Sequence, residues 1–124
     1  GVVKMVQAGH PHPLLLRADG SMEFIGRGGV PVGLVPDVDY EQEEFIMEKG
    51  DRLLLYSDGF TEAHLKDGSM LDTEGLVDLV KQCDPKRSGK EFLDDLYWHL
   101  TQVMGDDKGL EDDISATLFE YQGP

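Results

Sequence analysis

The chain has 124 residues, 40% of them hydrophobic and 29% charged, which suits one globular domain with a modest core. Its 25 acidic residues against 11 basic ones leave a formal charge of −14, which argues against nucleic acid or an anionic membrane as partner, since both attract basic surfaces. Cys83 is the single cysteine, which excludes an intrachain disulfide and a thiolate metal cluster and fits a reducing cytoplasm; no apolar run approaches the roughly 18 residues of a membrane span.

The first half reads as β. The branched residues of Val2 to Val6 predict a strand, broken by the stiff turn Ala8-Gly9-His10-Pro11-His12-Pro13. Leu14 to Arg17 and Met22 to Ile25 flank Asp19-Gly20, a hairpin signal. Residues 26 to 36 are a Gly- and Pro-rich loop. Asp39 to Met47 is a further strand, with Tyr40, Phe45 and Met47 as its apolar positions. Lys49-Gly50-Asp51 then turns the chain into Arg52 to Ser57, whose continuous apolar run reads as a central strand covered on both faces.

The second half reads as α. Leu76, Val77, Leu79, Val80 and Cys83 have helical spacing, and Asp84-Pro85 ends that helix. Ser88 and Glu91 form a capping box. Behind them Phe92, Leu93, Leu96, Trp98, Leu100, Val103 and Met104 supply a long apolar stripe, on which Tyr97 and Trp98 are most simply core, with Gly105 as the stop. An acidic loop, 106 to 113, leads into a last strand in which Ile114, Ala116 and Leu118 alternate with Ser115, Thr117 and Phe119. Strands, then helices, then one returning strand describe an α+β fold with the last strand inserted into the first sheet.

The chemistry concentrates on carboxylates. Asp58 follows a buried strand and precedes Gly59 and one helical turn, Phe60 to Ala63, so it sits at a strand-to-helix corner. If the last strand runs antiparallel beside residues 52 to 57, Asp112 and Asp113 converge on Asp58. Close carboxylates repel unless protonated or bridged by a cation, and a hard cation such as Mg2+ or Mn2+ prefers oxygen ligands. Spacing leaves a second reading open, in which Asp106, Asp107, Glu111, Asp112 and Asp113 form one solvated acidic loop. His10 and His12 share a strand face, but no further histidine or cysteine completes a metal site, so a rigid turn with His10 near a ligand is the simpler reading. Ser57 lacks the glycine pattern and the histidine base of a nucleophile.

Four strings occur in order: Ala8-Gly9-His10-Pro11-His12-Pro13-Leu14-Leu15-Leu16, Pro31-Val32-Gly33-Leu34, Gly50 to Ala63, and Asp112-Asp113-Ile114-Ser115. Together they closely resemble the C-terminal two-thirds of the SpoIIE/RsbU-type bacterial serine/threonine phosphatases of the PPM, or type-2C, superfamily. The resemblance implies a two-sheet sandwich flanked by helices, with two Mn2+ or Mg2+ ions at one end and a metal-activated water that hydrolyses phosphoserine or phosphothreonine. By motif, Asp58 and Asp112 match metal-ligating aspartates, Asp113 a weaker neighbour, and Glu62 an acidic position just outside them. Gly59 matches the glycine of the tight turn at the metals. His10 and Gly33 fall in loops that the resemblance puts near the site.

The same resemblance implies a cytoplasmic signalling role. A phosphorylated protein such as an anti-sigma-factor antagonist would be the substrate, and a sensor or receiver domain would lie upstream in the same chain. It also implies an upstream aspartate motif, which residues 1 to 124 do not hold. The chain is therefore expected to be the C-terminal part of one domain, inactive by itself, with an exposed edge that favours a dimer. A metal-poor adaptor of the same fold is the alternative function. Two departures stand out: Gln7 replaces the usual asparagine, and Leu71-Asp72 stands where the family usually has an aromatic and a glycine.

Overall fold

A computed structural model describes residues 1–105 and 113–124. The elements are β1 (Val2–Val6), β2 (Leu14–Leu16), β3 (Met22–Phe24), β4 (Gln42–Ile46), β5 (Arg52–Tyr56), α1 (Asp58–Thr61), α2 (Asp72–Lys81), α3 (Gly89–Val103) and β6 (Ala116–Glu120). They form two compact units, one of residues 1–55 with 118–124 and one of residues 56–117.

The first unit holds two sheets. β1 pairs antiparallel with β4, with Val2 opposite Ile46 and Val6 opposite Gln42. The second sheet has the order β3-β2-β5-β6. β2 and β3 form the hairpin expected around Asp19-Gly20, with Leu14 opposite Phe24. β2 also pairs antiparallel with β5, with Leu14 opposite Leu54. β5 is central, as its unbroken apolar run predicts, and Leu53 and Leu54 are both buried although they point to opposite faces. Ser57 N–H donates to the Ser115 carbonyl, and Tyr121 N–H donates to the Asp51 carbonyl. β6 therefore runs antiparallel to β5, at the sheet edge rather than inserted between older strands.

Alternation explains what is buried. In β1, Val3 and Met5 are half-buried while Val2, Lys4 and Val6 face solvent, the period of two that a pleated strand imposes. Val3, Ile25, Phe45, Leu55 and Tyr121 pack on a core of Leu15, Met47 and Leu53. β4 begins at Gln42, so Tyr40 lies before the strand rather than in it.

A buried carboxylate ties the second sheet together at the start of β5. Asp51 is 2% exposed and accepts from Ala18 N–H, Glu48 N–H and Arg17 Nη1, each at 2.8 Å. Burial alone would raise its pKa. The Ala18 N–H, the Arg17 guanidinium and the Glu48 N–H outweigh burial and hold the carboxyl below its ordinary range. The clamp joins the end of β2 to the start of β5, which fixes where β5 emerges at its other end.

In the second unit α1 packs on α2 and α2 on α3. Phe92, Leu96 and Leu100, spaced by four, are the buried stripe of α3. Tyr97 and Trp98 are exposed, which corrects their placement in the core. Trp98 is two residues from Leu96 and so about 200° around the helix from it. Ser88 caps α3 as expected, its hydroxyl accepting Glu91 N–H at 3.3 Å. The stop is also corrected: Met104, in an extended conformation, ends α3, and Gly105 N–H donates to the His64 carbonyl.

Candidate metal centre

The candidate site is built where β5 ends. Ser57, extended, is the N-cap residue of α1, and Asp58 is the acidic residue of that helix's first turn. Its exposed carboxylate projects from a corner whose next two residues, Gly59 and Phe60, are buried. Glu62 N–H donates to the Asp58 carbonyl at 2.9 Å. Asp58 and Glu62 are thus one helical turn apart, both exposed.

The chain entering β6 returns to this corner. A Cβ on Gly59 would lie 2.3 Å from the Asp113 carbonyl oxygen and 3.1 Å from Ile114 Cγ2. Only glycine admits so close an approach, and the approach seats Asp113 beside the Asp58 turn. Ser57 supplies the second tie. Its hydroxyl accepts Ser115 N–H at 2.9 Å and donates to the Asp113 carbonyl at 3.5 Å. The sequence excluded Ser57 as a nucleophile but did not reveal this holding role. The only local signal was a hydroxyl residue at the strand end, and its partner lies 58 positions away.

The electrostatics agree with the placement. The Tyr56 phenol is pushed up to about 12, by burial first and by the negative charge of Asp58 second. The donors at the corner are carboxylate and carbonyl oxygens, with no sulfur, and such a set fits a hard divalent cation. Asp112 lies outside the described residues. Among the described residues no three His, Cys, Asp or Glu side chains converge on one point; Asp58 presents an exposed carboxylate at the corner, and Asp113 brings its main chain there.

His10 and Gly33 belong to the first unit. His10 is exposed, and its carbonyl accepts from Gln7 Nε2 at 2.6 Å. The other end of the Gln7 amide, Oε1, accepts Gly28 N–H at 2.8 Å. Gln7 is buried and so ties the His10 turn to the glycine-rich loop. Gly33 is exposed in that loop with φ 83°, a conformation that favours glycine.

Comparison with known proteins gives this geometry a context. The SpoIIE family, described as Stage II sporulation protein E, matches residues 1–122. The phosphoserine phosphatase RsbU of Bacillus subtilis (strain 168) is 31% identical over 114 residues, covering 90% of this chain and 32% of that protein. The crystal structure of the RsbU and RsbW domains of Rv1364c from Mycobacterium tuberculosis superposes with a TM-score of 0.80 at 26% identity, covering 100% of this chain and 34% of that one. The PP2C phosphatase domain of SpoIIE from Bacillus subtilis, solved with a fragment of its regulatory domain, gives 0.78 at 19% identity, covering 97% and 34%. The chain thus spans about a third of the length of these relatives.

Proposed function

The chain belongs to the SpoIIE family, and from that membership we propose that it is the C-terminal part of a Mn2+- or Mg2+-dependent phosphatase domain acting on phosphoserine or phosphothreonine in a protein. The observation that carries the reading is the corner at Asp58, where a central buried strand delivers a carboxylate and Gly59 admits the Asp113 main chain beside it. The name of RsbU, a phosphoserine phosphatase, supports the substrate class.

In this reading Asp58 and Asp112 hold the ions, Asp113 assists, and Glu62 acts from one turn away. A pair of divalent ions would supply a hydroxide at neutral pH and neutralise the phosphate. The chain's own residues orient that chemistry. The Asp51 clamp fixes β5, and Ser57 and Gly59 hold the returning strand against the corner. His10 and Gly33 are assigned to substrate-side loops by motif alone. Both units belong to one domain of a cytoplasmic signalling protein, whose upstream part carries the remaining aspartate and a sensor or receiver. The phosphorylated partner is of the anti-sigma-factor-antagonist kind.

The test uses the full-length protein with a phosphoserine protein substrate and Mn2+. Asp58→Asn should lower phosphate release by about a hundredfold or more, as expected for a lost metal ligand, with the circular-dichroism spectrum unchanged. Turnover and Mn2+ affinity equal to wild type would remove the site assignment and leave the metal-poor adaptor reading.

A further inference from the structure

The positive charge of this acidic chain is concentrated. Lys81, Lys86, Arg87 and Lys90 are four of its 11 basic residues, and they fall within ten positions that hold one carboxylate, Asp84. All four are exposed. Lys81 ends α2, Lys86 and Arg87 precede the Ser88 cap, and Lys90 lies in the first turn of α3. Arg87 Nη1 is 3.4 Å from Asp95. Arg17, Arg27 and Arg52 are likewise matched to carboxylates. Among the described residues, Lys81, Lys86 and Lys90 are in no ion pair.

Local physics accounts for two of these cations, and Arg87 is one, since it pairs with Asp95. Lys81 in the last turn of α2 is favoured by the negative end of that helix. Lys86 and Lys90 crowd the positive end of α3, where the helix dipole opposes them. Two carboxylates offset this in part: Asp84, which closes the turn by accepting Lys86 N–H at 2.9 Å, and Glu91 in the first turn of α3. An incoming anion would relieve both the mutual repulsion and the clash with the dipole.

We infer that this α2–α3 knuckle docks an acidic segment of a protein partner. The rest of the chain selects the kind of anion. A formal charge of −14 overall means that everything outside the knuckle repels a polyanion of large footprint, such as nucleic acid or an anionic bilayer. A few acidic residues on one peptide engage the knuckle and remain within about a Debye length, roughly 8 Å at physiological salt, of its cations. Clustered Lys and Arg side chains are a recurring mode of acidic-motif recognition. The surface needs neither bound metal nor phosphoryl transfer, so its test is separate from that of the candidate metal centre.

The test is fluorescence anisotropy of a fluorescein-labelled Asp/Glu-rich peptide titrated with the full-length protein in EDTA, which silences any metal-bridged binding. Lys86→Glu with Lys90→Glu should weaken the Kd at least about tenfold through like-charge repulsion. The control Lys49→Glu with Lys66→Glu makes the same change in net charge at exposed lysines elsewhere and should shift the Kd less than about threefold. Lys86→Arg with Lys90→Arg should retain binding. If the reversal pair fails to fold by circular dichroism, Lys86→Ala with Lys90→Ala gives the same reading with a smaller loss. Equal loss in the knuckle and control pairs would overturn the inference. So would no binding by the wild type, or tighter binding to a DNA oligonucleotide or phosphatidylserine vesicles than to the peptide.

Discussion

Replacing Gly59 with alanine tests the corner directly. The backbone there is not left-handed, so alanine's own conformational preference is satisfied. In a helix it would favour the variant by about 1 kcal/mol. Sterics oppose it. The new Cβ would stand 2.3 Å from the Asp113 carbonyl oxygen and 3.0 Å from its carbon, whereas carbon-to-oxygen contacts settle at roughly 3.3 Å or more. The obstacle is main chain, so no rotamer change relieves it, and the 113–115 segment must move by about 1 Å. Overpacking of this kind costs about 1–3 kcal/mol, for a net loss of about 0–2 kcal/mol after the helix gain. That displacement would also strain the Ser57–Ser115 hydrogen bond of 2.9 Å. Urea denaturation of the full-length protein should show lower stability, and Mn2+ titration should show weaker binding, with a larger effect on metal affinity than on folding. A Gly59→Ala protein as stable as wild type, with unchanged Mn2+ affinity, would refute the claim that Asp113 is seated on Gly59.

Three further outcomes follow from particular residues. Asp72 enters α2 with φ 61°, the left-handed region where most L-residues lose about 1–2 kcal/mol, and its Oδ1 accepts Thr73 N–H at 2.7 Å. Asp72→Ala should therefore destabilise by about 1–2 kcal/mol in thermal melts, while Asp72→Gly should be nearly neutral. Cys83 is buried, and burial first, with the charge of Asp95 second, pushes its thiol up to about 11. The native protein should label with a disulfide reagent at pH 8 far more slowly than the urea-unfolded one. A raised folded pKa also means that the stability Cys83 contributes is complete below the ordinary thiol value and lost as pH climbs towards 11. Asp51 carries the opposite sign. Its lowered pKa gives stability that is present above the ordinary carboxylate range and lost as pH falls through the folded value. Asp51→Ala should cost about 3 kcal/mol by denaturant titration at pH 7, since it leaves the Ala18 and Glu48 N–H groups without their acceptor and removes one of the partners of Arg17, which keeps Glu23 and the Ile46 carbonyl. At pH 2 the difference from wild type should shrink.

Much of this molecule is legible in the chain because the relevant signals are local. The Asp19-Gly20 hairpin, the buried run of β5, the Ser88 cap and the strand-to-helix corner at Asp58 each depend on residues within a few positions of one another. So do their errors: Tyr97 and Trp98 look like core because an apolar stripe read by composition ignores the angle between neighbours, and the burial of Phe92, Leu96 and Leu100 turns both aromatics to solvent. The order of motifs likewise determined the family, since a linear pattern needs no fold to be recognised. What tertiary structure alone decided is pairing across distance. β6 had to be placed beside β5 before Asp113 could meet Gly59, and Ser57 acquires its partner at Ser115 only through that placement. Sequence names the residue types that suit a metal. Chain closure over some fifty positions decides which of them share a corner, because the entropy of that closure is recovered only by the packing of the whole sheet.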